Sequence, residues 1–460
     1  MKSEKNPAAK VPGKGKVTDF EMSKEFIEVL FEAAHIQRWN DHIRPNGFTE
    51  LDKQAHKMMI VYVLARYEEE VRDAKLDWRA LIEGGLVEFL HRIVLTDIKP
   101  PVFHQLMERN GHELNRWVYS QLRERIPGLS EEFLDMMRCH LDDPTYKPLE
   151  KKILRAAHYL ASQWEFNIIY PFNKGIYGIE QTKEAIANEI EDHYELIGVQ
   201  KLALQGKTSK FIDLVGQLRF QKRWSQSPRV PETSVMGHVL IVAILSYFCS
   251  LNLGASEERI VRNYLNGLFH DLPEVLTRDI ISPVKSSIDG LGDLIKEIEE
   301  QQLEAKILPL LPFRWHADIK YFTQKEFDNR CVVYRNLEEE DQRDEDFLGV
   351  RKVDDTIWAL HRQIFASEEE LDAYVKAHEK DELPPEKIVD GQVLKGCDHL
   401  AAFVEAWLSM QYGITSKHLQ NGLVDLRKRY TGDGEFRKIG PVDFERIFRQ
   451  FEAPERRDNL

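Results

Sequence analysis

Apolar residues recur at helical spacing through most of the chain. Phe26, Val29, Leu30, Ala33 and Ala34 mark an early stripe, Met58, Met59, Val61, Tyr62 and Leu64 a second, and Leu400, Phe403, Val404 and Trp407 a late one. Intervals of three and four place such side chains on one helical face. Period-two alternation is scarce, and Lys99-Pro100-Pro101 and Leu383-Pro384-Pro385 punctuate the stretches. The pattern predicts an all-α protein. Its most apolar run, Val239 to Leu253, is short and contains Ser and Cys, so it is predicted as a buried helix and not a membrane span.

Length changes this picture: 460 residues exceed what one ordinary core organises, so two domains are expected. The stretch before Lys16 carries Lys, Pro and Gly without an apolar segment, which predicts a solvated tail over 1–19 and a cytoplasmic protein. Cys139, Cys249, Cys331 and Cys397 lie far apart with no CxxC pair, which argues against a disulfide framework or a thiolate zinc site. They are expected to be reduced and mostly buried. A formal charge of −14 disfavours nucleic acid as a partner and favours a small molecule. Homo-oligomerisation is left open.

A scan for internal repeats is more informative. The first half reads Gln37-Arg38-Trp39, His56 before an apolar helix, Phe89-Leu90-His91-Arg92, Leu95-Thr96-Asp97-Ile98 with Pro101-Val102, then Glu191-Asp192-His193. The second reads Lys222-Arg223-Trp224, His238 before an apolar helix, Leu268-Phe269-His270-Asp271, Leu276-Thr277-Arg278-Asp279-Ile280 with Pro283-Val284, then Cys397-Asp398-His399. Trp39 precedes His56 by 17 residues and Trp224 precedes His238 by 14. The shared order predicts a tandem duplication: one domain over 20–205, a second over 206–430 with an inserted acidic segment at about 326–393, and an extension over 431–460.

The second copy carries the chemistry. His270 and Asp271 follow an apolar helical segment, on which adjacent side chains point about 100° apart and can close on one ion. His238 and Asp398 are the obvious further donors. Two imidazoles and two carboxylates suit one divalent Mn²⁺, Co²⁺, Fe²⁺, Ni²⁺ or Zn²⁺ better than an all-oxygen ion, with positions left for water and substrate. Glu274, one helical turn after His270, can take a proton from a water on that ion. Arg223 offers a planar fork for phosphate oxygens, and Trp224 a flat apolar face for a sugar or base.

Arg223-Trp224, Val235-Met236-Gly237-His238, the run from His270 to Asp279, Ser282-Pro283-Val284-Lys285 and Asp398 closely resemble the HD-domain 5′-deoxynucleotidases. The stretch His270 to Lys285 matches that family's H-D-x-x-E-V-L-T-x-D followed by x-P-V-K. The resemblance implies an all-α fold of two tandem HD-like domains and hydrolysis of a nucleotide phosphomonoester by attack of a metal-activated water. His238, His270, Asp271 and Asp398 would bind the metal and Glu274 would activate water. Asp279 would be a further functional acid, with Arg223, Trp224, Thr277 and Lys285 on the substrate side.

Three departures bear on that reading. The insertion separates Asp398 from the other ligands and holds the acidic run from Glu338 to Asp346, expected to be solvated. Gly237 stands where the family has an acidic residue. The first copy has Arg92 in place of the Asp of the pair and nothing equivalent to Glu274, so it is expected to be degenerate, structural or regulatory, since a guanidinium repels a cation. His193 and His399 are expected to lie behind the ligands or exposed, and His316 to pack or line the pocket. The alternatives are a hydrolase of (p)ppGpp, cyclic nucleotides or dNTPs, an iron oxygenase needing two metals, and a nucleotide-sensing scaffold.

Overall fold

The computed structural model describes residues 20–96, 98–278, 280, 288–332 and 387–452. The expected tail over 1–19, the acidic run, Asp279 and Lys285 lie outside them. The fold is all-α, as the periodicity predicts, with only three two-stranded antiparallel ribbons of two or three residues per strand among the described residues.

The chain divides into two compact units, Met1–Leu196 and Ile197–Leu460. The first contains α1 (Lys24–Glu32), α2 (Glu50–Arg72), α3 (Trp78–Leu95), α4 (Pro100–Arg125), α5 (Glu131–Asp142), α6 (Pro148–Asn173) and α7 (Ile179–Glu191), with the ribbon β1 (Gln37–Arg38) and β2 (Phe48–Thr49) ahead of α2. Its α2 packs along α6 and α3. Thr49, in extended backbone, accepts the Asp52 N–H and starts α2, as a threonine N-cap does.

The second unit contains α8 (Ile197–Ala203), α9 (Lys207–Gly216), α10 (Val235–Asn252), α11 (Glu257–Phe269), α12 (Glu274–Thr277), α13 (Leu291–Gln302), α14 (His316–Thr323), α15 (Gly391–Gln411), α16 (Lys417–Tyr430) and α17 (Phe444–Gln450). Helix α10 is the centre, packed by α11 and α15. It is the one described helix long and apolar enough to cross a membrane, yet 94% of its apolar window is buried inside the protein. That is the environment expected of a helix apolar all round in the middle of a core.

The ribbon of β3 (Arg330–Val332) and β4 (Lys387–Val389) pairs Arg330 with Val389 and Val332 with Lys387. It therefore draws together the two ends of the insertion and feeds the chain directly into α15. Arg259 on α11 donates from Nε to Asp390 Oδ2 at 2.7 Å, and Asn263 donates to the same oxygen at 2.6 Å. A buried carboxylate thus locks the start of α15 to α11, and the sequence distance to Asp398 does not matter. Cys139, Cys249 and Cys397 are free and buried.

Candidate metal centre

The site is assembled by three local devices. An isolated bridge pairs Lys222 with Ser234, and the Arg223 N–H donates to the Thr233 carbonyl at 3.0 Å, so the Arg-Trp pair is pinned beside the entry to α10. Trp224 has φ 56°, a left-handed conformation that non-glycine residues adopt only where the surroundings enforce it. Ser234 caps α10 by accepting the Gly237 N–H at 3.0 Å. His238 follows in the first turn, fully buried.

Helix α11 ends at Phe269, with His270 as its C-cap. Two turns bonded from Leu272 N–H to Phe269 O and from Glu274 N–H to Asp271 O then lead into α12. This corrects the sequence reading of one continuous helix from His270 to Glu274. A turn separates them, because Pro273 has no N–H to extend the ladder. Two smaller corrections concern placement: His238 lies inside α10 and not ahead of it, and Asp398 is the eighth residue of α15 and not its opening residue.

His238, His270 and Asp398 each present one donor atom, all within 4.8 Å of one another. His270 Nδ1 lies 2.8 Å from the Gly267 carbonyl, which fixes the proton on that nitrogen. Its Nε2 is buried without a hydrogen-bond partner, 3.4 Å from Asp271 Oδ2. His238 Nε2 lies 2.8 Å from Asp398 Oδ1, while its Nδ1 faces Glu405 Oε1 at 3.5 Å. A proton held on Nδ1 by Glu405 leaves a lone pair on Nε2 aimed at a carboxylate, an arrangement stable only with a proton or a cation between. Burial and Arg223 pull the His238 pKa down, but Asp398 and Glu405 outweigh them and raise it to about 9. Asp398 is held well below the carboxylate range: burial works against ionisation, and the His238 hydrogen bond, with His238, His399 and Arg223 as positive neighbours, overcomes it. The donors therefore fit a divalent ion with mixed nitrogen and oxygen ligands, oriented by outer partners as metal-bound imidazoles usually are.

Arg223 faces the carboxylates, with Nη1 3.8 Å from Asp271, Nη2 4.0 Å from Asp398 and Nε 3.8 Å from Glu405. Trp224 donates its indole N–H to Glu405 Oε2 at 3.1 Å, and its ring lies over Gly422 of α16, where a β-carbon would approach within 2.5 Å. Glu274 is buried, and Thr277 donates its hydroxyl to Glu299 on α13 at 3.3 Å.

Glu405 is the residue the sequence reading missed. It is buried, accepts from Trp224 and from the Thr233 hydroxyl at 2.7 Å, pairs with Arg229 at 3.1 Å and faces His238. Its signal was present: Glu405 follows Asp398 by seven residues, two helical turns, and so shares its face. His399 does not join the cluster, and its Nδ1 bonds to the Tyr430 hydroxyl at 2.8 Å. His316 approaches the Leu311 carbonyl at 3.3 Å and packs on Phe313. His193, in the first unit, is buried and stacks on Tyr159.

A family model described as HD domain matches residues 215–427. Among curated proteins the chain is similar to a 5′-deoxynucleotidase of Photobacterium profundum, 26% identical over 162 residues, 31% of this chain and 81% of that relative. A 5′-deoxynucleotidase of Photorhabdus laumondii is 26% identical over 188 residues, 36% of this chain and 90% of the relative. One from Erwinia tasmaniensis is 27% identical over 160 residues, 31% and 79%. No solved structure matches. The candidate metal centre lies wholly within residues 215–427, the span that matches the HD-domain family model.

Proposed function

We propose that the second unit is a metal-dependent phosphohydrolase that removes phosphate from a nucleotide 5′-monophosphate, a deoxyribonucleotide in the first instance, in the cytoplasm. The observation that carries this reading is the convergence of His238, His270 and Asp398 beside Asp271, with the buried His270 Nε2 making no hydrogen bond. His238, His270, Asp271 and Asp398 would hold one divalent transition ion, which when bound supplies Lewis acidity and lowers the pKa of water.

The chain's own residues do the rest. Arg223 binds the phosphate through its fork, in a position where its guanidinium already faces the ligand carboxylates. Trp224, held by Glu405 and backed by Gly422, offers its ring to the sugar. Glu274 accepts the proton of the water whose oxygen forms the new P–O bond, as the bond from phosphorus to the 5′ oxygen breaks. The nucleoside oxygen takes up a proton from solvent as it leaves, and Glu274 returns its own to solvent, giving a nucleoside and inorganic phosphate. Asp279 and Lys285 are assigned to this site by resemblance alone.

The test is phosphate release from a panel of deoxy- and ribonucleoside mono-, di- and triphosphates, cyclic nucleotides and (p)ppGpp with Mn²⁺ or Co²⁺. The proposal expects turnover of monophosphates, with deoxyribose preferred, and its loss in Asp271→Ala. Turnover confined to triphosphates or cyclic nucleotides would overturn the substrate class, and no turnover with metal bound would overturn the activity.

A further inference from the structure

Gln221 stands two residues before Arg223, where a 3₁₀ turn over Gln217–Phe220 gives way to extended chain. No motif named above includes it. Its backbone carbonyl accepts the Val235 N–H at 2.9 Å, so it belongs to the short antiparallel run that bridges Lys222 to Ser234 and opens α10 three residues before His238. Its side chain leaves that run and reaches α12. The amide Nε2 donates to the Glu274 carbonyl at 3.1 Å and lies 3.4 Å from that of Val275. One residue thus joins the backbone of Glu274 to the start of the helix that carries His238.

Helix α12 needs such a hold. It has four residues, and its N-cap Pro273 supplies no side-chain hydrogen bond. A helix this short fixes several dihedrals for very few bonds and does not stand by itself. At its end Arg278 has φ 68° and ψ 161°, a region essentially reserved for glycine, where other residues persist only if the surroundings enforce it. The Arg278 N–H and the Gln221 amide converge on the same Glu274 carbonyl, at 2.7 and 3.1 Å, which has two lone pairs to receive them. The turn is closed by one donor from within and one from outside.

Packing alone does not account for an amide here. Gln221 Oε1 is buried and makes no hydrogen bond among the described residues. A buried acceptor left unmet costs stability that an apolar side chain of the same shape would not lose. What the amide supplies is its N–H₂ group on α12.

We propose that Gln221 is a positioning residue for Glu274, tying the backbone of α12 to the segment that carries Arg223 and opens α10, so that base, phosphate fork and His238 keep one spacing. The inference rests on the reading that Glu274 takes the proton of the attacking water. Proton transfer needs the acceptor within hydrogen-bond reach, and a misplacement of about 1 Å costs up to about 10²-fold in rate.

The experiment compares full-length wild type, Gln221→Met, Glu274→Gln and the double variant, with deoxyadenosine 5′-monophosphate and Mn²⁺. Gln221→Met is expected to keep its metal content, to hold KM within twofold and to lose about tenfold in kcat per bound metal. On the Glu274→Gln background the same change should cost less than twofold, because two residues acting through one group are not additive. Hydrogen exchange in metal-free protein, which requires no turnover, should be at least tenfold faster over residues 274–278 in Gln221→Met and unchanged in α15. Unchanged exchange there, unchanged kcat per bound metal whatever the melting temperature, or an equal tenfold loss on the Glu274→Gln background would each overturn the proposal. Full activity in Glu274→Gln would overturn the base assignment and this inference with it, whereas loss there beside full activity in Gln221→Met overturns this inference alone. If Gln221→Met fails to fold, Gln221→Glu, which keeps the volume and polarity and removes the N–H₂ group, is read by the same outcomes.

Discussion

Gly267 of α11 lies so close to Ala243 of α10 that a β-carbon would sit 2.7 Å from the Ala243 Cα. The obstacle is backbone, which cannot swing aside. This approach brings the end of α11, and with it His270, against the turn that carries His238, the rings 5.9 Å apart. Gly267→Ala is expected to cost about 3 kcal/mol, the upper end for overpacking a core, and to lower bound metal by moving His270. Thermal melts and elemental analysis on the same sample check both. A stable variant with full metal would show that the helices have room to part.

Glu274→Gln keeps the shape of the side chain and removes the proton acceptor. The expected outcome is unchanged metal content with kcat reduced about 10²- to 10⁴-fold. Retained activity would move the base to another residue, Asp279 first. Asp271→Ala is the contrasting variant, expected to lose both metal and turnover.

Gly422→Ala tests Trp224 without touching it. The added methyl would meet the indole ring at 2.5 Å and tilt it from its seat. If the ring supports the substrate in the ground state, KM rises about tenfold while kcat stays within twofold. Unchanged KM would make Trp224 a packing residue.

In the first unit, Glu50 is buried between Arg38 at 2.8 Å and Arg92 at 3.9 Å. Burial alone would raise its pKa, but Arg38, Lys53 and Arg92 bring it down to about 2. A carboxylate depressed in the folded state stabilises it above its ordinary pKa of 4.5 and loses that contribution as pH falls towards 2. Wild type is therefore expected to weaken between pH 4.5 and 2 more steeply than Glu50→Gln, which should cost about 3 kcal/mol at neutral pH. Chemical denaturation across that range measures the difference, and parallel curves would remove Glu50 from the acid response.

Much of this architecture was legible in the chain. Helical periodicity predicted the fold class, and the sequence motifs around His238, His270 and Asp398 named the three residues that the fold brings together, because residue type and order survive in sequence. What spacing does not carry is register. Matching His56 and His91 to His238 and His270 by letter is one way to align the two halves, and the left-handed residues Thr96 and Arg278 suggest another. The turn at Pro273 was readable from its missing N–H, yet the four-residue interval looked helical. Glu405 was hidden because it lies two turns beyond Asp398 and makes its contacts with a distant stretch of chain, from Arg223 to His238.

Glu405 is where the last prediction falls. It receives Trp224 and Thr233, pairs with Arg229, and faces the Nδ1 of His238. Burial opposes its ionisation, but Arg229, His238 and Arg223 hold its pKa well below the carboxylate range. Glu405→Gln keeps the volume and removes the charge that orients the His238 ring and balances two arginines. As a positioning residue behind a ligand, it is expected to weaken metal binding 10- to 100-fold, and the uncompensated Arg229 should cost about 3 kcal/mol of stability. A purely structural role would lower the melting temperature and leave metal affinity in the folded protein unchanged. Metal titration at a temperature where the variant is fully folded separates the two, and an unaltered affinity there would take Glu405 out of the site.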